Sequence, residues 1–265
     1  MSNSESATLQ GADSSEPLGQ AKPAAQGRPR VGAARISAIP AQVLADLNSG
    51  RMATVNLVEF LAIDLAVLAR SVAGHVGLNP QAERLSDTLA MLSAFKPMQR
   101  HGHIARAFYD LARDHVERDA VAHNLATHPS DLARSWAAFW LQCSDQTLPE
   151  KLHAVGRFAA DPHFGVREMA WSAVRNDVIA ELDSALALLE PWVHDGDPNI
   201  RRFACELTRP RGVWCAQIEV LKSEPWRAMP ILAPMQADVS RYVQNSVANW
   251  LNDASKSQPA WVEKV

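Results

Sequence analysis

Glycine is scarce in this chain, tyrosine scarcer, and cysteine comes as an odd set. Only 12 glycines occur in 265 residues, and four of them fall in the first 35. No GxGxxG or GxxxxGK[ST] loop is present, which excludes the glycine-built phosphate cradles of dinucleotide and P-loop nucleotide binders. The three cysteines, Cys143, Cys205 and Cys215, include no CxxC pair. Neither a disulfide framework nor a thiolate zinc site is therefore expected, and a reducing, cytosolic setting fits. Alternating β-branched runs bounded by hairpin turns are missing too, which leaves an all-β fold or a doubly wound sheet without support. A basic excess is also lacking. With 26 Lys and Arg against 29 Asp and Glu the net charge is −3, so any polyanion must meet a local patch rather than a global field. The most apolar stretch, residues 57–72, is interrupted by Glu59, Asp64 and Arg70 and falls short of the roughly 18–20 apolar residues of a membrane span. No basic segment followed by an apolar one opens the chain, so no signal peptide is expected and the cytoplasm is the expected location.

What remains is a helical composition. With 47% hydrophobic and 21% charged residues the chain can bury a sizeable core. Residues 1–35 are rich in Ser, Ala, Gly, Gln and Pro without apolar periodicity, and burial there cannot offset the entropy of ordering. A disordered tail over 1–35 and one helical domain over 36–265 are expected. The Ala-, Leu-, Arg- and Glu-rich body favours helix. A short helix is expected over 40–47, ended by Asn48-Ser49-Gly50. Leu57, Phe60, Leu61, Asp64, Leu65 and Leu68 keep helical spacing, and Asn79-Pro80 interrupts the chain. Helices over 82–95, 104–116 and 121–125 follow, with Pro129 as a break. Glu59 and Asp64 in the apolar helix read as solvent-exposed or capping residues.

A repeat occupies residues 128–253. HPSDLARSWAAF (128–139), DPHFGVREMAWSAV (161–174), DPNIRRFACELTRP (197–210) and SRYVQNSVANWLND (240–253) each set a polar turn before a helix. The apolar residues opening those helices, Leu132, Val166, Ile200 and Val243, are 34, 34 and 43 apart. Second helices are expected between them, over 148–159, 178–193 and 217–222. Self-similarity at this period, with two helices per unit, is the mark of a HEAT-like solenoid: one hairpin cannot cover its apolar face, so neighbours stack and share a core. The expected fold is an all-α, right-handed α-solenoid of HEAT-like repeats with a concave basic cleft.

Aromatic and basic residues crowd the same helices. Trp136, Trp140, Trp171, Trp214 and Trp250 share these stretches with Arg134, Arg167, Arg201, Arg202, Arg209, Arg211 and Arg241. Between 196 and 222 five basic residues face three acidic ones. Arginine forks and tryptophan faces suit a nucleic-acid backbone and its bases. Both types also have structural uses, arginines laddering against aspartates of the preceding turn and tryptophans filling solenoid cores. Glu168, Glu206 and Asp253 lie on the same helices, and an acid in a basic groove is out of place unless it acts on a positive species.

Two motifs turn this pattern into a resemblance. Residues 201–214, RRFACELTRPRGVW, resemble the RR-x-x-x-E-x-TRPR-x-x-W signature of AlkC-type alkylpurine DNA glycosylases, of the AlkC/AlkD superfamily. Residues 246–253, SVANWLND, resemble the family's SVAN-x-LND motif. The sequence departs from the family in that Glu168 is followed by Met169-Ala170-Trp171-Ser172, and TRPR by Gly212-Val213. The resemblance implies a monomeric enzyme that hydrolyses the N-glycosidic bond of N3- or N7-alkylated purines in double-stranded DNA, with no metal or other cofactor. It also implies that the damaged nucleotide stays largely stacked. Matched residue by residue, Glu168, Glu206, Asp253 and Trp214 are the expected catalytic group. Arg201, Arg202, Arg209, Arg211, Asn249 and Trp171 are the expected DNA contacts. The chemistry is consistent, because an alkylated purine is already cationic and leaves without protonation. A carboxylate near the oxocarbenium-like sugar stabilises it and orients water, and an aromatic face adds roughly 0.5–2 kcal/mol.

His101, His103, His115, His123 and His128 match no metal-ligand spacing, and surface or helix-end roles are expected. Lys96, Arg100, Arg106 and Arg113 form either a further phosphate strip or a solvated face. A solenoid that binds DNA or a protein without cleaving is the alternative reading. An enzyme requires Glu168, Asp253 and Trp214 to converge at a cleft, whereas acids paired to arginines of the next repeat away from any cleft favour the alternative.

Overall fold

The computed structural model describes residues 30–78, 83–212 and 215–265, all helix, turn or loop and without a strand among them. Gly32–Val265 forms one compact unit. The tail expected over 1–35 lies largely outside the described residues, as do the Asn79-Pro80 break and Trp214. Among the described residues no helix is long and apolar enough to cross a membrane.

The helices are α1 (Ala41–Asn48), α2 (Leu57–Ala62), α3 (Leu65–His75), α4 (Ser86–Met91), α5 (Pro97–Ala112) and α6 (Arg118–Ala126), followed by the repeat region. That region holds α7 (Asp131–Phe139), α8 (Leu148–Ala159), α9 (Phe164–Ala180), α10 (Leu182–Leu189), α11 (Pro198–Leu207), α12 (Glu219–Ser223), α13 (Met229–Leu232), α14 (Arg241–Ser255) and α15 (Pro259–Val262). The repeat-opening helices stack in sequence, α7 on α9, α9 on α11 and α11 on α14, with α8 packed behind α9. Their apolar openers Leu132, Val166 and Val243 are fully buried, as are Trp136 and Trp250. The core-filling use of these two tryptophans is the one the fold makes.

Local chemistry explains where the elements begin and end. The stretch 57–68 is two helices, not one. The Asp64 carboxylate accepts the amide hydrogens of Ala66 and Val67 at 2.9 and 3.0 Å, and this N-cap starts α3 afresh. Glu59 is buried and accepts from the Val55 amide at 3.0 Å, which corrects its expected exposure. Pro97 stands in the first turn of α5, where a missing amide hydrogen costs nothing, so that helix begins seven residues before the periodic stretch. The helix over 178–193 is instead the end of α9, then α10, then a 3-10 turn.

Two of the histidines are core residues. His101 accepts the Trp136 indole hydrogen at Nδ1 over 3.1 Å, and His128 accepts the Ser130 amide hydrogen at its own Nδ1 over 3.1 Å. Burial pushes the pKa of each down to about 4, with Arg100 adding to the effect at His101 and His75 and Arg134 at His128. An unfolded histidine takes its proton near pH 6.5, so between pH 6.5 and 4 the unfolded state binds more protons. Stability is complete above that window and falls as pH drops through it, by about 3 kcal/mol for one such group. Urea unfolding at pH 7.5 and 5 checks this. The midpoint is expected to fall on acidification, and to fall less in His101→Gln, whose amide can accept the Trp136 bond but cannot titrate.

Candidate functional site

The two sequence motifs meet in space. The Ser246 hydroxyl donates to Glu206 Oε1 at 2.7 Å, and the Trp250 indole donates to the Thr208 carbonyl at 3.1 Å. Arg209 Nη2 reaches Asp253 Oδ2 at 2.7 Å, and Arg211 Nε donates to the Asp253 carbonyl at 3.2 Å. Residues of RRxxxExTRPR thus clasp residues of SVANxLND, α11 against α14. Removing the Ser246 hydroxyl leaves a buried Glu206 oxygen short of a donor. Ser246→Ala is expected to lower the unfolding free energy by about 1–2 kcal/mol, measured by urea titration.

From this clasp a charged chain runs outward. Arg209 Nη1 lies 3.0 Å from Glu206 Oε2, Glu206 Oε1 lies 3.4 Å from Arg202 Nη2, and Arg202 Nη2 lies 2.7 Å from Glu168 Oε1. Lys256 closes the inner end, 3.2 Å from Asp253 Oδ1. The three acids therefore belong to one network, and their exposures differ. The side chains of Glu206 and Asp253 are 2% and 4% accessible, that of Glu168 40%. Burial works against the charges of Arg202 and Arg209. The carboxylates of Glu168 and Glu206 outweigh it at Arg202, those of Glu206 and Asp253 at Arg209, and both guanidinium pKa values end above the ordinary one. Both arginines stay cationic.

Glu168 is fixed from its own helix as well. Its Oε2 accepts the Trp171 indole hydrogen at 3.2 Å, one turn along α9. Trp171 is buried, which corrects its expected place among the DNA contacts: it orients Glu168 from below. Along the same face lie Ser172, Arg175 and Asn176, which line a cavity of about 870 Å³ with Lys96, Gln99 and Arg106. No carboxylate residue lines it. Of the expected basic strip, Lys96 and Arg106 face this cavity. Arg100 donates to the Phe95 carbonyl at 3.0 Å, and Arg113 sits 3.8 Å from Asp114.

The remaining expected residues divide. Arg201 spends its fork on Asp238, at 2.7 and 2.9 Å, and its Nη1 on the Asp195 and Gly196 carbonyls. This is the structural ladder. Arg209 and Arg211 are likewise engaged within the chain, and Asn249 is exposed on α14. Trp214 lies outside the described residues. Among the described residues no group of three His, Cys, Asp or Glu gathers as metal ligands would.

Two residues of the site were not among those expected. Arg175, almost fully buried, donates to the carbonyls of Leu207, Arg209 and Ala216 and so ties down both ends of the segment that leaves α11. Tyr242 carries the Arg202 guanidinium on its ring, 4.3 Å from the centroid. The signal for Tyr242 was present: residues 242, 246, 249 and 253 keep the i, i+4, i+7, i+11 spacing of one helix face.

No family model matches the chain. A curated Bacillus subtilis (strain 168) protein, the uncharacterized protein YhaZ, is 41% identical over 93 residues, covering 35% of this chain and 26% of that one. Among solved structures, the Pseudomonas fluorescens alkylpurine DNA glycosylase AlkC, bound to DNA containing an abasic site analog, superposes with a TM-score of 0.61 at 22% identity. That match covers 75% of this chain and 56% of AlkC. AlkD2 from Streptococcus mutans gives a TM-score of 0.50 at 21% identity over 67% of this chain and 86% of AlkD2. The chain thus spans little more than half the length of AlkC and about a quarter of YhaZ. The helical-repeat fold of AlkC and AlkD2 is the fold of this chain.

Proposed function

We propose that the protein is a monomeric DNA repair glycosylase that releases cationic N3- or N7-alkylated purines from duplex DNA. The observation that carries this reading is Glu168. It is a carboxylate open to solvent, held in one orientation by Arg202 and Trp171, on a helix face that continues into a cavity lined by cations without acids. The shared fold with a DNA-bound alkylpurine glycosylase supports the same reading. Chemically, the C1′–N bond breaks as the positively charged base departs neutral. The sugar becomes oxocarbenium-like, and water adds at C1′, giving up its proton to Glu168 or to solvent. Glu206 and Asp253 are buried in ion pairs, so their part is to set the position and charge of Arg202 and Arg209. Cleavage then rests on Glu168.

A second reading is favoured by that same pairing: a solenoid that binds DNA and leaves it intact. The two separate in one assay. Duplex treated with a methylating agent is incubated with the protein and then with mild alkali, which breaks strands at abasic sites. Strand breaks above those in methylated duplex incubated without protein are expected; binding without added breaks supports the second reading.

A further inference from the structure

Helices α7, α9, α11 and α14 share a device at their second turn. A side chain there donates to the carbonyl six residues earlier: Arg134 Nη1 to His128 at 2.7 Å, Arg167 Nη1 to Asp161 at 2.7 Å, Arg201 Nη1 to Asp195 at 2.8 Å, and Gln244 Nε2 to Asp238 at 2.7 Å. In an arginine this leaves Nε and Nη2 as a parallel fork. The fork of Arg134 grips the Asp161 carboxylate of the next repeat at 2.8 and 3.2 Å, and that of Arg201 grips Asp238. By the same register Arg167 should grip Asp195, and it does not. Asp195 makes the same turn bond as the gripped aspartates, accepting the Asp197 amide hydrogen at 2.7 Å as Asp161 accepts that of His163 and Asp238 that of Ser240, yet no ion pair joins it to Arg167. Among the described residues no carboxylate lies within salt-bridge distance of Arg167.

The Arg167 fork instead points both its donors at a single neutral oxygen, the Tyr242 hydroxyl, each at 3.4 Å. Two charged donors converging on one weak acceptor at the long end of the hydrogen-bond range leave most of the fork's capacity unused. Planar guanidinium forks suit two oxygens of a phosphate. The Tyr242 oxygen accepts from Arg167, which leaves its own hydrogen to donate outward. Both groups are only part-buried. The neighbourhood fixes where such a ligand would sit. Arg167 precedes Glu168 on α9, and the ring of Tyr242 carries Arg202, the partner of Glu168. Arg202 contacts both the Tyr242 ring and the Glu168 carboxylate, which sets a cation beside each of them.

We propose that Arg167 and the Tyr242 hydroxyl form a phosphodiester-binding site for the DNA strand whose sugar faces Glu168, the broken rung of the ladder being the opening through which the phosphate enters. This rests on the glycosylase reading for the identity of the strand. The test uses the full chain, an undamaged mixed-sequence duplex and a salt titration, with base release from methylated duplex in parallel. Arg167→Gln is the informative variant, because Gln244 shows that glutamine keeps the bond to the carbonyl six residues back. Expected for Arg167→Gln is a Kd raised about tenfold and a slope of log Kd against log salt reduced by about 0.9. Arg167→Lys should retain the slope while still losing affinity, since a point charge lacks the fork. Tyr242→Phe should lose affinity with no change of slope. The thermal midpoint supplies a reading without DNA: Arg167→Gln should leave it nearly unmoved, whereas Arg201→Gln, which breaks a rung, should lower it. If wild type binds duplex and releases base but Arg167→Gln matches its Kd and slope, the phosphate site is overturned and the glycosylase reading stands. If wild type neither binds nor releases base, both fall.

Discussion

Glu168→Gln is expected to slow base release by about 10²- to 10³-fold, with duplex binding held within about twofold of wild type. The amide is nearly the same shape, its oxygen can still accept from Arg202 or Trp171, and so the helix face is preserved. What disappears is the negative charge opposite the sugar as its bond to the base breaks. Single-turnover release with enzyme in excess isolates that step from product dissociation. Arg202 sharpens the interpretation. In wild type it is shared between Glu168 and Glu206, at 2.7 and 3.4 Å. With the Glu168 charge gone, Arg202 stays anchored by Glu206, and the network does not collapse. Equal rates for wild type and Glu168→Gln would remove Glu168 from the reaction.

Arg175→Met is expected to cost about 3–5 kcal/mol of stability, the largest effect of any single change outside the apolar core. Methionine keeps much of the aliphatic stem but donates nothing. The carbonyls of Leu207, Arg209 and Ala216 then lose the donor that now serves all three. Burial lowers the Arg175 pKa, and Cys215 and the carboxylates of Asp253 and Glu206 only partly restore it. Its role is therefore donation to backbone oxygens rather than an ion pair. The consequence extends beyond folding, because Arg209 belongs to the tethered segment and also holds Glu206 and Asp253. Urea unfolding measures the first effect. At temperatures where the variant is folded, a further loss of base release measures the second.

Local signals in the sequence located most helices and missed several boundaries for physical reasons. The helix expected over 148–159 is α8, whose start is capped by Thr147 and closed by Glu150 on the Thr147 amide at 2.8 Å. Asp64 misled, because a residue at helical spacing also serves as the cap that begins a new helix. The repeat was legible because its turns carry Asp and Pro ahead of an apolar opener, the chemistry that starts a helix.

At the site, the sequence joined Glu168, Glu206, Asp253, Arg202 and Arg209, and the structure links these five in one ion-pair network. Their burial was not legible, because exposure depends on how α11 lies against α14. Trp171 illustrates the gap: its position on an arginine-bearing helix suggested DNA contact, while packing turned its indole inward to Glu168. Arg175 reaches its partners across 32 to 41 residues of chain, and no local spacing announces them, whereas Tyr242 shares a helix face with Ser246 and Asp253 that the spacing shows. The broken rung at Arg167 is invisible without coordinates, since Asp195 stands where the ladder pattern requires an acid and makes the same turn bond as Asp161 and Asp238 without pairing to Arg167.

The central claim is that this chain breaks the bond between sugar and alkylated purine, and the most direct test is to identify the released molecule. Methylated duplex DNA is incubated with the protein, the DNA is precipitated, and the supernatant is separated chromatographically against N3-methyladenine and N7-methylguanine standards. The account predicts free methylated purine above the spontaneous rate, rising in proportion to protein and cut about 10²- to 10³-fold in Glu168→Gln. Duplex bound at the same protein concentration, with no free base above the spontaneous rate, would contradict it.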